Sequence, residues 1–447
     1  MADDLPDEPS EEELRDMLRE FLSGNAELDP AKLASAAGLP DDPDMVQQLI
    51  GQLQHALQNS ADGPNWSLAL DQALALAKKS AVPSTADEQA ALDQALHVGA
   101  LWLDEATDIA GLTADPVLLT RAGWVEATMP VWTQLAEPVA VSIADSLTEI
   151  LNEQTGDALG GALGNASQLM RNLGGTLFAM QLGQVVGQLS SEVVSGGDIG
   201  IPLLDGSTRQ AVLVPQNVDA FGAGLDIPID EVRLYLAVRE LAHARLFRHA
   251  KWLRLQLLTQ ITDYARGIRV DTQRLEEVVA EFDPQNPDEL RAAVTSGALI
   301  PEKTEEQKAA LARLETFLAL IEGWVDVVTA SATSRLPKAG AIAETVRRRR
   351  AAGGPAESAF ATLVGLELRP RRLREAAAMW QAVSDAAGAE ARDALWAHPD
   401  IIPTDADIDD PHALIARITG GPSAPDDVDQ ALEDLLNDEN GDRPRET

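Results

Sequence analysis

Residues 229–258, IDEVRLYLAVRELAHARLFRHAKWLRLQLL, decide how the rest of the chain is read. The stretch reads as one long helix with Asp230 as its N-cap. On a helix, positions i and i+4 lie on one face. Leu236, Arg239, Glu240, His243 and Phe247 therefore share a stripe. Three polar residues flanked by apolar ones on a single stripe are unusual for a helix that only packs. A functional site is expected there.

Within that stripe, residues 239–243 read Arg-Glu-Leu-Ala-His, one residue away from His-Glu-x-x-His. In the complete pattern, two histidines four residues apart grip one zinc ion from the same side. The glutamate after the first histidine takes a proton from the metal-bound water. Glu240 stands at the general-base position and His243 at the second ligand position. Arg239 occupies the first ligand position, and a guanidinium offers only donors and keeps its charge. It cannot ligate zinc and would repel it. Restoring a histidine at 239 would complete the pair.

A third ligand must come from elsewhere, and two candidates exist. Glu322 lies in a helix expected from about 305 to 333, whose apolar stripe is Leu314, Leu318, Ile321, Val325 and Val328. Asp326 follows Glu322 at i+4. In this Glu-x-x-x-Asp pattern the glutamate binds metal and the aspartate orients the far nitrogen of a ligand histidine. Equally, Glu322 reads as a partner for an arginine, with Arg239 the obvious one.

The second candidate is His249, six residues after His243. That spacing needs a helix-breaking glycine between the histidines, and Leu246 stands in its place. In an unbroken helix His249 is turned about 240° from His243. The alternative reading of His249 is a surface histidine in a basic patch with Arg245, Arg248 and Lys251. Glu322 is preferred, so Glu240, His243 and Glu322 are expected to converge.

At this point the chain resembles the actinobacterial zincin-like metallopeptidase family. The resemblance runs over about residues 10–420. It rests on GGTLFAMQLGQVVGQLSSEV (174–193), DIGIPL (198–203), VLVPQNV (212–218), RELAHARLFRHAKWL (239–253), EGWVDVV (322–328), LVGLELRPRRLREA (363–376) and LWAHPDIIP (395–403). The branch it resembles carries Arg-Glu-x-x-His. The resemblance implies a zincin-like fold, mostly α with a small sheet beside the motif helix, AVLVPQNV (211–218) being its strand. It carries the ligand role onto His243 and the general-base role onto Glu240, and carries nothing onto Arg239.

Composition bounds the rest. The 447 residues have 45% hydrophobic content, a net charge of −37 and no cysteine. Such a surface repels phosphates, so nucleic acid is not an expected partner. Disulfides and thiolate metal sites are excluded. The N-terminus has neither a basic nor an apolar signal region, and no run of 18 apolar residues appears, so a cytoplasmic protein without membrane contact is expected.

The expected organisation is an acidic disordered tail (1–10), an N-terminal helical region (11–155), a zincin-like core (156–345), a C-terminal helical region (346–420) and an acidic tail (421–447). In the N-terminal region, Trp66 and Trp102 are expected core anchors. Pro116 is expected to start a helix that stops near Pro130, with another from Trp132 to about Asn152. The Gly183-x-x-x-Gly187 spacing points to closely packed helices, 271–304 to a polar helical insert, and Arg347–Arg350 to pairing with the protein's own acids.

Three functions fit the sequence. The chain is a zincin-like protein that has lost zinc and serves as a binding or regulatory module. Or it is an active metallohydrolase using His243, Glu322 and one further ligand. Or its cleft binds a peptide or small anion through Arg239.

Overall fold

Two helices, each with a long continuous buried stretch, form the centre of the molecule. The computed structural model describes residues 64–155, 162–204, 210–266, 303–351, 359–361, 363, 366 and 371–420. Of the regions assigned above, 1–63, 267–302 and 421–447 lie outside the described residues. In chain order the helices are α1 (Trp66–Lys79), α2 (Ala86–Leu103), α3 (Arg121–Thr155), α4 (Ala162–Leu189), α5 (Pro215–Gly222) and α6 (Ile229–His249). Then come α7 (Lys251–Arg266), α8 (Glu305–Ala332), α9 (Ala339–Ala351), α10 (Leu373–Ala394), α11 (Asp405–Asp409) and α12 (Pro411–Thr419). The strands are β1 (Val117–Leu118) and β2 (Val212–Leu213). The fold is helix-dominated with a small parallel sheet, as the sequence indicated.

Helix α6 carries the motif. Every residue from Tyr235 to Leu246 is buried, because α2, α5, α8, α9 and β2 pack around it. Its N-cap is Pro228, without a side-chain cap, and Asp230 sits inside the first turn instead. There its charge still favours the helix N-terminus. The expected single helix over 229–258 is broken at Ala250, whose φ of −91° and ψ of 70° leave the α region. Helix α7 resumes at Lys251 in a new direction and packs on α3 and α8.

Helix α8 is the second central element. A capping box between Thr304 and Gln307 starts it, and residues Leu318–Thr329 are all buried. Gly323 lets α10 approach closely. A Cβ there would lie 2.7 Å from the Ala377 nitrogen and 2.9 Å from the Ala376 carbonyl carbon. Trp396 stacks on Trp380 at 5.4 Å and meets Trp324 edge-on at 6.4 Å, which fastens the C-terminal helices to α8.

Three expectations are corrected in the N-terminal half. Pro116 starts no helix; it precedes β1, and α3 begins after Thr120, whose hydroxyl accepts from the Gly123 N–H at 3.0 Å. Helix α3 passes through both Pro130 and Pro138. The lost backbone bonds are offset by burial of Trp124, Trp132, Leu135 and Val139 against the core. Trp66 and Trp102 are only partly buried against the core, whereas Trp124 and Trp132 are fully enclosed. The Gly183/Gly187 pair does seat α4 on α1, where added Cβ atoms would come within 2.5 Å of the Ala69 oxygen and 2.8 Å of Leu76.

The sheet is shorter than AVLVPQNV suggested. Only Val212–Leu213 is extended, because Pro215, with no N–H to lose, opens α5. Val117 and Leu118 pair in parallel with Val212 and Leu213. On the other side of β2, Ser195 bridges Leu213 antiparallel. Buried Arg121 donates to Asn217 at 2.7 Å, and Asn217 donates to the Ser190 and Val193 carbonyls. This network fixes the chain that leads into the glycine-rich loop over the motif.

Candidate functional site

Glu240 is buried and both its oxygens are engaged. Oε2 accepts from the Gly197 N–H at 2.7 Å and Oε1 from the Val212 N–H at 2.8 Å. The nearby Ser195 side chain also favours the charged form. Burial pushes the carboxyl up to about 7 despite these donors, which alone would lower it. The loop itself presses on the motif. A Cβ at Gly197 would fall 2.7 Å from the His243 Cβ, and one at Gly196 would fall 2.9 Å from Glu240 Oε1. Only glycines permit this approach.

Across from α6, Glu322 is 1% exposed and carries three partners. His243 Nε2 lies 3.2 Å from Oε1. The Arg239 guanidinium donates to Oε2 and that of Arg350 to Oε1. Against the penalty of burial, Arg350 and then Arg239 hold this carboxyl far below the usual carboxylate range. His243 Nδ1 faces the Arg239 carbonyl at 3.1 Å. Burial pulls the His243 pKa down, and the attraction of Glu322 does not reverse that. A neutral ring has one N–H for two acceptors. Assigned by strength, that proton sits on Nε2 and donates to the charged carboxylate.

The same helices carry a second rung. Asp326 accepts from Arg347 at 2.7 and 3.1 Å. Tyr235, one turn before Arg239 on α6, is buried with no partner for its hydroxyl, and burial pushes its phenol up to about 12. Thus α6 contributes Tyr235, Arg239 and His243, α8 contributes Glu322 and Asp326, and α9 contributes Arg347 and Arg350.

The structure therefore brings Arg239, Glu240, His243, Glu322 and Asp326 into one neighbourhood. His249 stays out of it: α6 runs unbroken to that residue, and its side chain is exposed at the helix end. The basic patch expected around it also lacks Arg245, which is buried and held by the Ala100 carbonyl and Asp104 at 2.9 and 2.8 Å. The expected pairing of Arg347–Arg350 with the protein's own acids is present, but sequence reasoning did not place Arg347 and Arg350 at this site. The signal was available: they lie three apart on one helix face, and the acids Glu322 and Asp326 lie four apart on the next.

A catalytic zinc site takes three protein ligands and keeps a position for water. Here His243 and Glu322 converge, but among the described residues no third His, Cys, Asp or Glu joins them to form a metal-binding group. Each Glu322 oxygen already holds a guanidinium, and the His243 nitrogen that faces it is the protonated one. The residues present do not fit zinc.

A central helix with Glu-x-x-His, a strand beside it and a carboxylate from the next long helix define a zincin-like scaffold. Residues 65–415 match the family model of zincin-like metallopeptidases, and the chain belongs to that family. A crystal structure from Chloroflexus aurantiacus, described as "a putative hydrolase with a novel fold", shares the fold. Its TM-score is 0.55 at 19% identity, over 80% of this chain and 100% of that one. No curated protein matches the chain. Among the described residues, no helix is long and apolar enough to cross a membrane.

Proposed function

We propose that this chain is a metal-independent binding module on a zincin-like scaffold, its zinc motif degenerate and its peptidase activity weak or absent. The observation that carries the reading is the Arg239–Glu322 contact. A cation fixed to the protein sits on the carboxylate that would otherwise hold a metal. Arg350 makes the same contact from the opposite helix, so the neighbourhood is cationic without any ion. Glu240, with both oxygens engaged by backbone donors, then serves to pin the glycine loop and β2 to α6. The adjoining cleft, about 510 Å³ including its open mouth, is the place for a peptide or protein segment.

A second reading has one observation in its favour. A carboxyl at about 7 is matched to general-base work near neutral pH. It supports an active zinc-dependent hydrolase with His243 and Glu322 as ligands and Glu240 as base. Metal content of the purified protein separates the two readings. The binding module is expected to carry far less than one equivalent of zinc and to show no chelator-sensitive peptidase activity. One equivalent of zinc, lost in His243→Ala, would replace it with the hydrolase.

A further inference from the structure

Most buried or half-buried guanidinia described in this protein rest on a carboxylate: Arg233 on Asp219, Arg239 and Arg350 on Glu322, Arg347 on Asp326, Arg349 on Asp198. Arg254, on α7, does not. Its Nε is buried without a hydrogen-bond partner, and among the described residues it forms no ion pair or hydrogen bond. It lines the cleft over Glu240 and His243. In a chain of net charge −37, a half-buried guanidinium without an acid is unexpected, because its buried Nε–H has lost water and gained no acceptor.

The rest of the cleft says what the missing anion is attached to. Its wall is formed by Pro202, Leu203, Leu204 and Phe247, and Arg248 stands beside Arg254. Arg248 gives one N–H to the Gly111 carbonyl at 2.9 Å, and a guanidinium has five. The enclosed part of the cleft is about 70 Å³, several times the space one water needs, and it opens to solvent, so it admits the end of a ligand and leaves the rest outside. The floor is polar: a carboxylate has about four acceptor positions, and the Gly197 and Val212 N–H groups take two of those at Glu240. A plain hydrocarbon acid would bury the remaining acceptors without a donor. A peptide brings an amide N–H one residue from its carboxylate.

We propose that this cleft receives the free C-terminus of a peptide ending in an apolar residue. Arg254, with Arg248, holds the terminal carboxylate. Leu203, Leu204 and Phe247 take the last side chain, and Glu240 accepts from the last amide. The proposal rests on the reading of the site as a binding module and names its ligand.

Calorimetry on the full chain, treated with chelator, tests it with three probes: N-acetyl-dialanyl-leucine, the same peptide as its C-terminal amide, and hexanoate. The acid is expected to bind about tenfold or more tighter than the amide, the scale of a charge-assisted contact. Arg254→Gln should abolish that preference, and Arg254→Lys should keep part of it. Equal binding of acid and amide to the wild type overturns the proposal, whether or not the variants fold. Hexanoate binding as tightly as the peptide overturns the peptide assignment. Zinc found in the untreated protein sinks the metal-independent reading instead and leaves this comparison standing on its own.

Discussion

Completing the signature by Arg239→His should not by itself create a zinc site. The sequence alone says one histidine is missing, but the structure adds a second obstacle. Arg350 donates to the same Glu322 oxygen that His243 faces. Removing Arg239 frees Oε2 and leaves Arg350 in place. A divalent ion bound to Glu322 would stand about 4 Å from that guanidinium. Two unit charges at this distance repel by about 4 kcal/mol at an effective dielectric constant near 20, so a dication is opposed by about 8 kcal/mol. That corresponds to more than about 10⁵ in affinity. Arg239→His is therefore expected to take up no zinc in calorimetry at micromolar protein. Arg239→His combined with Arg350→Leu should bind about one equivalent, with His243→Ala in that background removing it. Tight zinc binding by the single variant would refute the reasoning, because Arg350 would then have swung away at no cost.

Three further outcomes follow from the same geometry. Glu322→Gln strands two buried guanidinia, and losing one partner of a buried pair costs about 3–5 kcal/mol; a fall in Tm below about 5 °C in a thermal melt would count against the ion cluster as a stabilising centre. Glu240 sits at about 7 when folded against an ordinary value of 4.5, so its contribution to stability is full below about 4.5 and is lost as pH rises through 7. Glu240→Gln should flatten that part of the stability–pH curve while costing about 1–3 kcal/mol through one mispaired backbone N–H; an unchanged slope in chemical denaturation across pH 5–8 would show that Glu240 does not titrate there. Gly323→Ala pushes a methyl into the backbone of α10 and should destabilise by about 1–3 kcal/mol, measured by urea unfolding, with no loss if α10 can slide.

What the sequence discloses here follows local physics. Helix α8 could be read from its apolar stripe, because periodicity acts within a turn or two of the chain. The meeting of Glu322 with His243 was legible because two polar pairs interrupted two apolar stripes. Strand β1 was not: two residues carry no period, and Val117–Leu118 is extended only because β2 lies beside it. The passage of α3 through Pro130 and Pro138 depends on burial supplied by α1, α4 and α7. The break at Ala250 has no glycine or proline to announce it. Arg350 hid in a run of four arginines, where only the neighbouring acids tell which members face inward.

That run has a mechanical consequence. Arg347 reaches Asp326 and Arg350 reaches Glu322, so the rungs run in opposite order along α8 and α9. Turning α9 by one residue, about 100°, would still present arginines, but to other neighbours. The ladder thus acts as a key that fixes the rotation of α9 about its own axis. Arg348, 77% exposed and tied only to Glu344 on its own helix, is not part of the key and can change freely. A scan of the four positions should therefore read sensitive, tolerant, intermediate, sensitive, a periodicity written by salt bridges and not by hydrophobic residues.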